Sequence, residues 1–128
     1  MNNDVNQVAT SALAYLGDSV IELRVRNYLV SERGLSSAAS LNREALNFVR
    51  AAAQSEAMNY IEPLLDEEEM TAYRRGRNIG HTNVPKSASV SEYRRATGME
   101  ALFGYLHLLG REERINELFR AGYRLEQY

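Results

Sequence analysis

Between Leu13 and Leu23 the chain reads Leu-Ala-Tyr-Leu-Gly-Asp-Ser-Val-Ile-Glu-Leu, a helical pattern with Gly17-Asp18-Ser19 set into its middle. Local propensity opposes that triplet. Glycine costs roughly 1 kcal/mol relative to alanine inside a helix, and aspartate and serine are mediocre helix formers. A helix that carries all three between apolar residues does so for a close backbone approach or for chemistry. An ionised carboxylate removed from water is costly unless a cation or hydrogen-bond donors compensate it. Asp18 therefore faces solvent, pairs with an arginine, or serves a bound cation.

The other long segments also carry a helical period, and no short stretch alternates cleanly enough to read as a strand. The pattern predicts an all-α fold in a single domain, a helical bundle spanning residues 1–128. A first helix is expected over 5–30, with Leu13, Leu16, Val20 and Leu23 as its apolar stripe and Gly34 ending the region. Residues 36–40 read as a linker with Ser40 as N-cap. The Ala-rich stretch 41–61, free of Gly and Pro, predicts one long helix stopped near Pro63. A third helix should begin in Asp66-Glu67-Glu68-Glu69, where acids meet the positive end of the helix dipole, and end at Arg74-Arg75-Gly76. Residues 77–91 read as a loop long enough to need a functional explanation. A short helix over 91–96, an apolar central helix over 97–109, a break at Gly110 and an amphipathic helix over 112–125 complete the expectation.

At 128 residues the chain holds one domain with a real core, and 45% hydrophobic with 25% charged residues is a globular composition. No apolar run approaches the ~20 residues that span a bilayer. The start, Met1-Asn2-Asn3-Asp4, lacks the basic and apolar regions of a signal peptide, so no membrane role and cytoplasmic residence are expected. With no cysteine, disulfides, thiolate zinc sites and cysteine nucleophiles are excluded. Net charge is −2, yet Arg74, Arg75, Arg77, Lys86, Arg94 and Arg95 cluster between residues 71 and 98 against Glu92 alone. Such segregation places a basic surface on a mildly acidic protein, or simply a solvated face.

Two further acids stand out. Glu22 shares a helix face with Asp18 and precedes Arg26 by four residues, the favourable order for a surface ion pair. Glu100 closes Thr97-Gly98-Met99-Glu100, which fits a capping box with Thr97 as N-cap. Neither His81 nor His107 forms a motif with these acids, which disfavours zinc. His107 reads as a core or interface histidine, and His81 lies in the basic loop.

The Leu16-Gly17-Asp18-Ser19 helix strongly resembles the signature of the ribonuclease III family, and Glu100-Ala101-Leu102-Phe103-Gly104 resembles that family's second motif. Arg74-Arg75-Gly76-Arg77-Asn78, then Thr82-Asn83-Val84-Pro85-Lys86, and Tyr93-Arg94 ahead of Glu100 extend the likeness over nearly the whole chain. The resemblance implies a ribonuclease III endonuclease fold, dimeric. It makes Asp18 and Glu100 the catalytic, metal-binding carboxylates and Mg²⁺ the cofactor. It also reverses the capping preference for Glu100. Two carboxylates in one partly desolvated site need a cation to stay ionised together, and Mg²⁺ is the natural one for hard oxygen ligands.

The resemblance further implies hydrolysis of double-stranded RNA to 5′-phosphate and 3′-hydroxyl ends by a homodimer. The implied task is maturation of precursor large-subunit (23S) ribosomal RNA, with a ribosomal protein or precursor particle as partner. Arg74, Arg75, Arg77, Asn78, Lys86, Arg94 and Arg95 are the RNA-binding candidates, since A-form RNA is recognised mostly through phosphates and 2′-hydroxyls. There are departures. Where the family has further acids the chain has Ser11, Ala14 and Thr97, and the RNA-binding domain that usually follows is expected to be absent. These match a minimal subgroup of the family and imply looser metal binding. The alternative they leave open is a non-catalytic RNA-binding or ribosome-associated member of the fold. A helical adaptor with no RNA role would leave the basic window and Gly-Asp-Ser unexplained.

Overall fold

Helices build the whole of the computed structural model, which describes residues 4–79 and 89–125, and no strand occurs among them. After a 3-10 turn at Val5–Gln7, α1 runs Thr10–Ser31 and α2 Ala38–Val49. Then come α3, Ala51–Ile61, a 3-10 turn at Glu62–Leu64, and α4, Glu67–Arg77. The chain closes with α5, Val90–Leu108, and α6, Glu112–Tyr123. The all-α expectation holds, while several boundaries move for identifiable reasons.

The predicted helix over 41–61 is two helices. Arg50 is extended (φ −62°, ψ 149°), caps both, and turns the chain although no Gly or Pro is present. The break leaves the Phe48 carbonyl without a helical partner, and the buried Tyr123 hydroxyl donates to it at 2.6 Å. The Phe48 ring packs on Tyr28 and Tyr123, with centroids 5.8 and 5.0 Å away. Tertiary packing thus overrides a helix-favouring sequence. The N-cap of α2 is Ser37 rather than Ser40: its hydroxyl accepts from the Ser40 amide at 3.1 Å.

The predicted pair of helices over 91–96 and 97–109 is one continuous α5. Its capping box is Ser89 with Glu92, so the box at Thr97 and Glu100 does not form; the Thr97 hydroxyl instead donates to the Tyr93 carbonyl at 3.0 Å. α4 starts in the acidic run as expected, through a capping box of Asp66 and Glu69 that the run did not announce, but Gly76 lies inside the helix, which continues to Arg77. Gly110 turns the chain with φ 75°.

α5 is the central helix, buried on most of its faces. Met99, Leu102, Phe103 and Leu106 meet Leu13, Ile21, Val25 and Leu29 of α1, Met58 and Ile61 of α3, Tyr73 of α4, and Ile115, Leu118 and Phe119 of α6 in one cluster. Full burial of each such side chain is worth about 1.5–3 kcal/mol. Leu23, expected in the stripe, is 65% exposed, and Leu16 is only partly buried.

A candidate two-carboxylate active site with a basic flank

The α1–α5 crossing explains the Gly-Asp-Ser triplet. A Cβ on Gly17 would overlap the backbone carbonyl of Glu100, and a Cβ on Gly104 would overlap that of Leu13. Glycine at both positions lets the two backbones touch, as any side chain would force them apart. The residue that follows the contact on α1 is Asp18, and the residue whose backbone receives it on α5 is Glu100. The close crossing and the carboxylate pair are one feature.

Asp18 is exposed at the rim and Glu100 is only partly accessible, within hydrogen-bonding reach of Asp18. Burial pushes the Glu100 carboxyl up to about 8, aided by the Asp18 charge and the hydrogen bond to it. At neutral pH Glu100 therefore keeps a proton that a bound cation would displace. Among the described residues no cluster of three or more Asp, Glu, His or Cys comes together. The donor set is two hard oxygen groups open to solvent, which fits a Mg²⁺ ion that keeps several waters and binds through one or two carboxylates.

Glu22 is not part of the pair. It accepts from Arg26 at 3.1 Å, the surface ion pair its spacing suggested. His107 is neither in the core nor in the site: it is exposed, with Nδ1 2.7 Å from Glu112 Oε1. Ser11 is exposed, Ala14 buried and Thr97 half-buried, so no other acid joins from those positions.

The basic candidates divide into two groups. Arg77, Asn78, Arg94 and Arg95 line one groove of about 510 Å³ with Glu62, Tyr73, Val90 and Ser91. The Arg77 guanidinium lies 5.7 Å over the Tyr73 ring. Arg74 and Arg94 are exposed, and their side chains have no partner among the described residues. Arg95 is engaged within the protein, donating to Ser55 at 3.0 Å and Asn59 at 2.9 Å beside Glu62. Arg75 is also engaged, donating to Thr10 Oγ1 at 3.1 Å and to the Val8 carbonyl at 2.9 Å. Lys86 and His81 lie outside the described residues.

One feature of the surface escaped the sequence pattern. Tyr15, Leu23 and Val30, 84, 65 and 54% exposed, lie on the outer side of α1, the helix that carries Asp18. A helical period alone cannot tell a second apolar face from the core-facing one.

The sequence matches the Ribonuclease III domain family over residues 11–111. It is 46% identical over 109 residues to a Mini-ribonuclease 3 of Symbiobacterium thermophilum, covering 85% of this chain and 83% of that protein. With a Mini-ribonuclease 3 of Enterococcus faecalis identity is 44% over 117 residues, 90% of this chain and 88% of the relative. A crystal structure of a Fusobacterium nucleatum protein superposes with TM-score 0.82 at 33% identity, covering 91% of this chain and 93% of that one. The fold and the match together define an endoribonuclease of the class that acts on double-stranded RNA. The chain belongs to the ribonuclease III family, in its Mini-ribonuclease 3 branch. Among the described residues no helix is long and apolar enough to cross a membrane.

Proposed function

We propose that this endoribonuclease is Mg²⁺-dependent, that Asp18 and Glu100 hold the ion, and that it works as a homodimer on precursor large-subunit ribosomal RNA. The observation that carries the site assignment is the Asp18–Glu100 pair, with a Glu100 proton held at neutral pH that a cation would replace. A bound Mg²⁺ supplies Lewis-acid stabilisation of charge on the phosphate and a more acidic water. Asp18, at the rim, orients water toward the scissile phosphate. Glu100, at the floor, fixes the depth of the site. In the reaction a water oxygen bonds to phosphorus, the bond from phosphorus to the 3′ oxygen breaks, and that oxygen takes up a proton, leaving 5′-phosphate and 3′-hydroxyl ends.

Arg74, Arg77, Asn78 and Arg94 are the RNA contacts this geometry favours, with Lys86 as a further candidate. The exposed apolar residues on the outer side of α1 support a second copy as partner, which would double the basic surface. A ribosomal protein or precursor particle as partner rests on the family likeness, and cytoplasmic residence follows from the ribosomal task.

The test is cleavage of a duplex RNA with Mg²⁺ by the parent, Asp18→Asn and Glu100→Gln. Cleavage by the parent and loss in both folded variants, with duplex binding retained, is expected. Undiminished cleavage by either variant removes that residue from the mechanism. A parent that binds but never cuts would establish the non-catalytic alternative, which the absence of acids at Ser11, Ala14 and Thr97 favours.

A further inference from the structure

Arg75 is placed where simple electrostatics would not put it. Its guanidinium sits at the N-terminal end of α1, donating from Nε to Thr10 Oγ1 and from Nη2 to the Val8 carbonyl. The positive end of a helix dipole disfavours a cation, by about 0.3–1 kcal/mol at exposed sites. The N-cap residue Ala9 offers no side-chain oxygen to the first turn, so Arg75 and Thr10 form the polar contact that ties this end of α1 down. Arg75 is also absent from the groove lined by Arg77, Arg94 and Arg95.

The next residue grips the helix of Glu100. A Cβ on Gly76 would come within 2.7 Å of the Thr97 carbonyl oxygen, 2.8 Å of Gly98 Cα and 2.6 Å of Ala101 Cβ. Those three positions bracket Glu100 on α5. Two consecutive residues at the end of α4 therefore hold α1 and α5 at once. One fastens the helix of Asp18 two turns before it, and the other lies against the turn that carries Glu100. Directly after them come Arg77 and Asn78, in the basic groove.

We infer that Arg75 is a positioning residue for the carboxylate pair, clasping α1 to α4 so that Asp18 and Glu100 keep the spacing a shared ion needs. It is not a phosphate contact. The inference rests on the endonuclease assignment of the site. A misplacement of about 1 Å at a reacting centre costs up to a hundred-fold in rate. A lost phosphate contact instead lowers the salt dependence of binding by about one unit of slope.

Arg75→Ala, Arg75→Lys and Thr10→Val are compared with the parent below their unfolding temperatures. Three quantities are read: kcat and KM on duplex RNA with Mg²⁺, Mn²⁺ affinity of the RNA-free protein by electron paramagnetic resonance, and the salt slope of duplex binding in EDTA. In Arg75→Ala kcat is expected to fall between about ten- and a hundred-fold, with weaker Mn²⁺ binding, KM near the parent's, and an unchanged salt slope. Thr10→Val and Arg75→Lys, which each retain part of the contact, fall between. A lower slope with a raised KM would make Arg75 an RNA contact and overturn the proposal. So would parental kcat and Mn²⁺ affinity accompanied only by a lower melting temperature. If Arg75→Ala does not fold, the two milder variants decide by the same readouts. Should the parent leave duplex RNA uncut, the endonuclease assignment fails separately, and Mn²⁺ affinity still decides whether the clasp sets the pair.

Discussion

At the scale of single residues, Glu100 carries the sharpest consequence. Its carboxyl is raised to about 8 from the ordinary 4.5, first by burial and then by Asp18. Between those two pH values the folded protein holds a proton that the unfolded chain has released. This group therefore makes the metal-free protein less stable as pH rises from 4.5 to about 8, and contributes no further change above that. An ion bound to both carboxylates cancels that dependence, because binding expels the proton. Mg²⁺ affinity is expected to rise about ten-fold per pH unit up to about pH 8 and then level off. Titration calorimetry at pH 7 in two buffers of different ionisation enthalpy reads the proton count directly. Close to one proton released per ion is expected, and none released would mean that Glu100 is not a ligand. In Asp18→Asn the like charge is gone while the burial stays, so the Glu100 carboxyl should drop only part of the way.

Between elements, polar contacts settle what helical periodicity leaves open. Glu69, only 1% exposed, accepts from Arg114 through both oxygens, at 2.7 and 2.8 Å, and so joins α4 to α6. Arg114 also donates to the Leu64 carbonyl at 2.8 Å and to Glu117 at 2.7 Å. Hydrogen bonding to Arg114 holds the Glu69 carboxyl below its usual range against the opposing effect of burial. The stability it contributes is thus present above the unfolded carboxylate pKa and is lost as pH falls through the lower folded value. Removing one partner strands a buried charge, so Arg114→Ala is expected to cost about 3 kcal/mol, with the urea m-value unchanged. A loss under about 1 kcal/mol would assign the pair to the weak surface class.

The acid run ahead of Glu69 was visible in the sequence as a helix start, but its arginine partner was not. The two residues are 45 apart in the chain, and no local pattern links them. The same limit explains the misplaced cap on α5. Ser89-x-x-Glu92 and Thr97-x-x-Glu100 have the same form, and the choice between them is made by packing. Gly98 lies against the Tyr73 ring and Gly17 against Glu100, which holds α5 straight through Thr97. The carboxylate pair was legible through the likeness of its two segments to the ribonuclease III motifs, since the local pattern alone makes Glu100 a capping residue. The engagement of Arg75 and Arg95 was not, because an arginine in a basic run looks the same whether its partner is a phosphate or a backbone carbonyl.

For the whole molecule, α1 presents apolar residues on two of its sides. One side of that helix is the core and the crossing with α5. A second side presents Tyr15, Leu23 and Val30, spaced eight and then seven residues apart, so that they fall on one face. Single exposed apolar residues are ordinary, whereas three on one side of a helix, here interleaved with the Glu22–Arg26 ion pair, are a candidate interaction surface. A second copy is the occupant that suits the proposed chemistry, because a duplex presents two strands and each subunit holds one carboxylate pair. A two-fold contact through α1 would place two carboxylate pairs and two arginine grooves in one assembly. Leu23→Glu adds an acid between Tyr15 and Val30 along the helix without touching the core, since Leu23 is 65% exposed. It is expected to leave the helical circular dichroism of the parent unchanged, to halve the mass seen by light scattering, and to lose duplex cleavage while retaining Mn²⁺ binding. A parent that is already monomeric at working concentration, or a Leu23→Glu variant that stays dimeric, would move the interface elsewhere on the molecule.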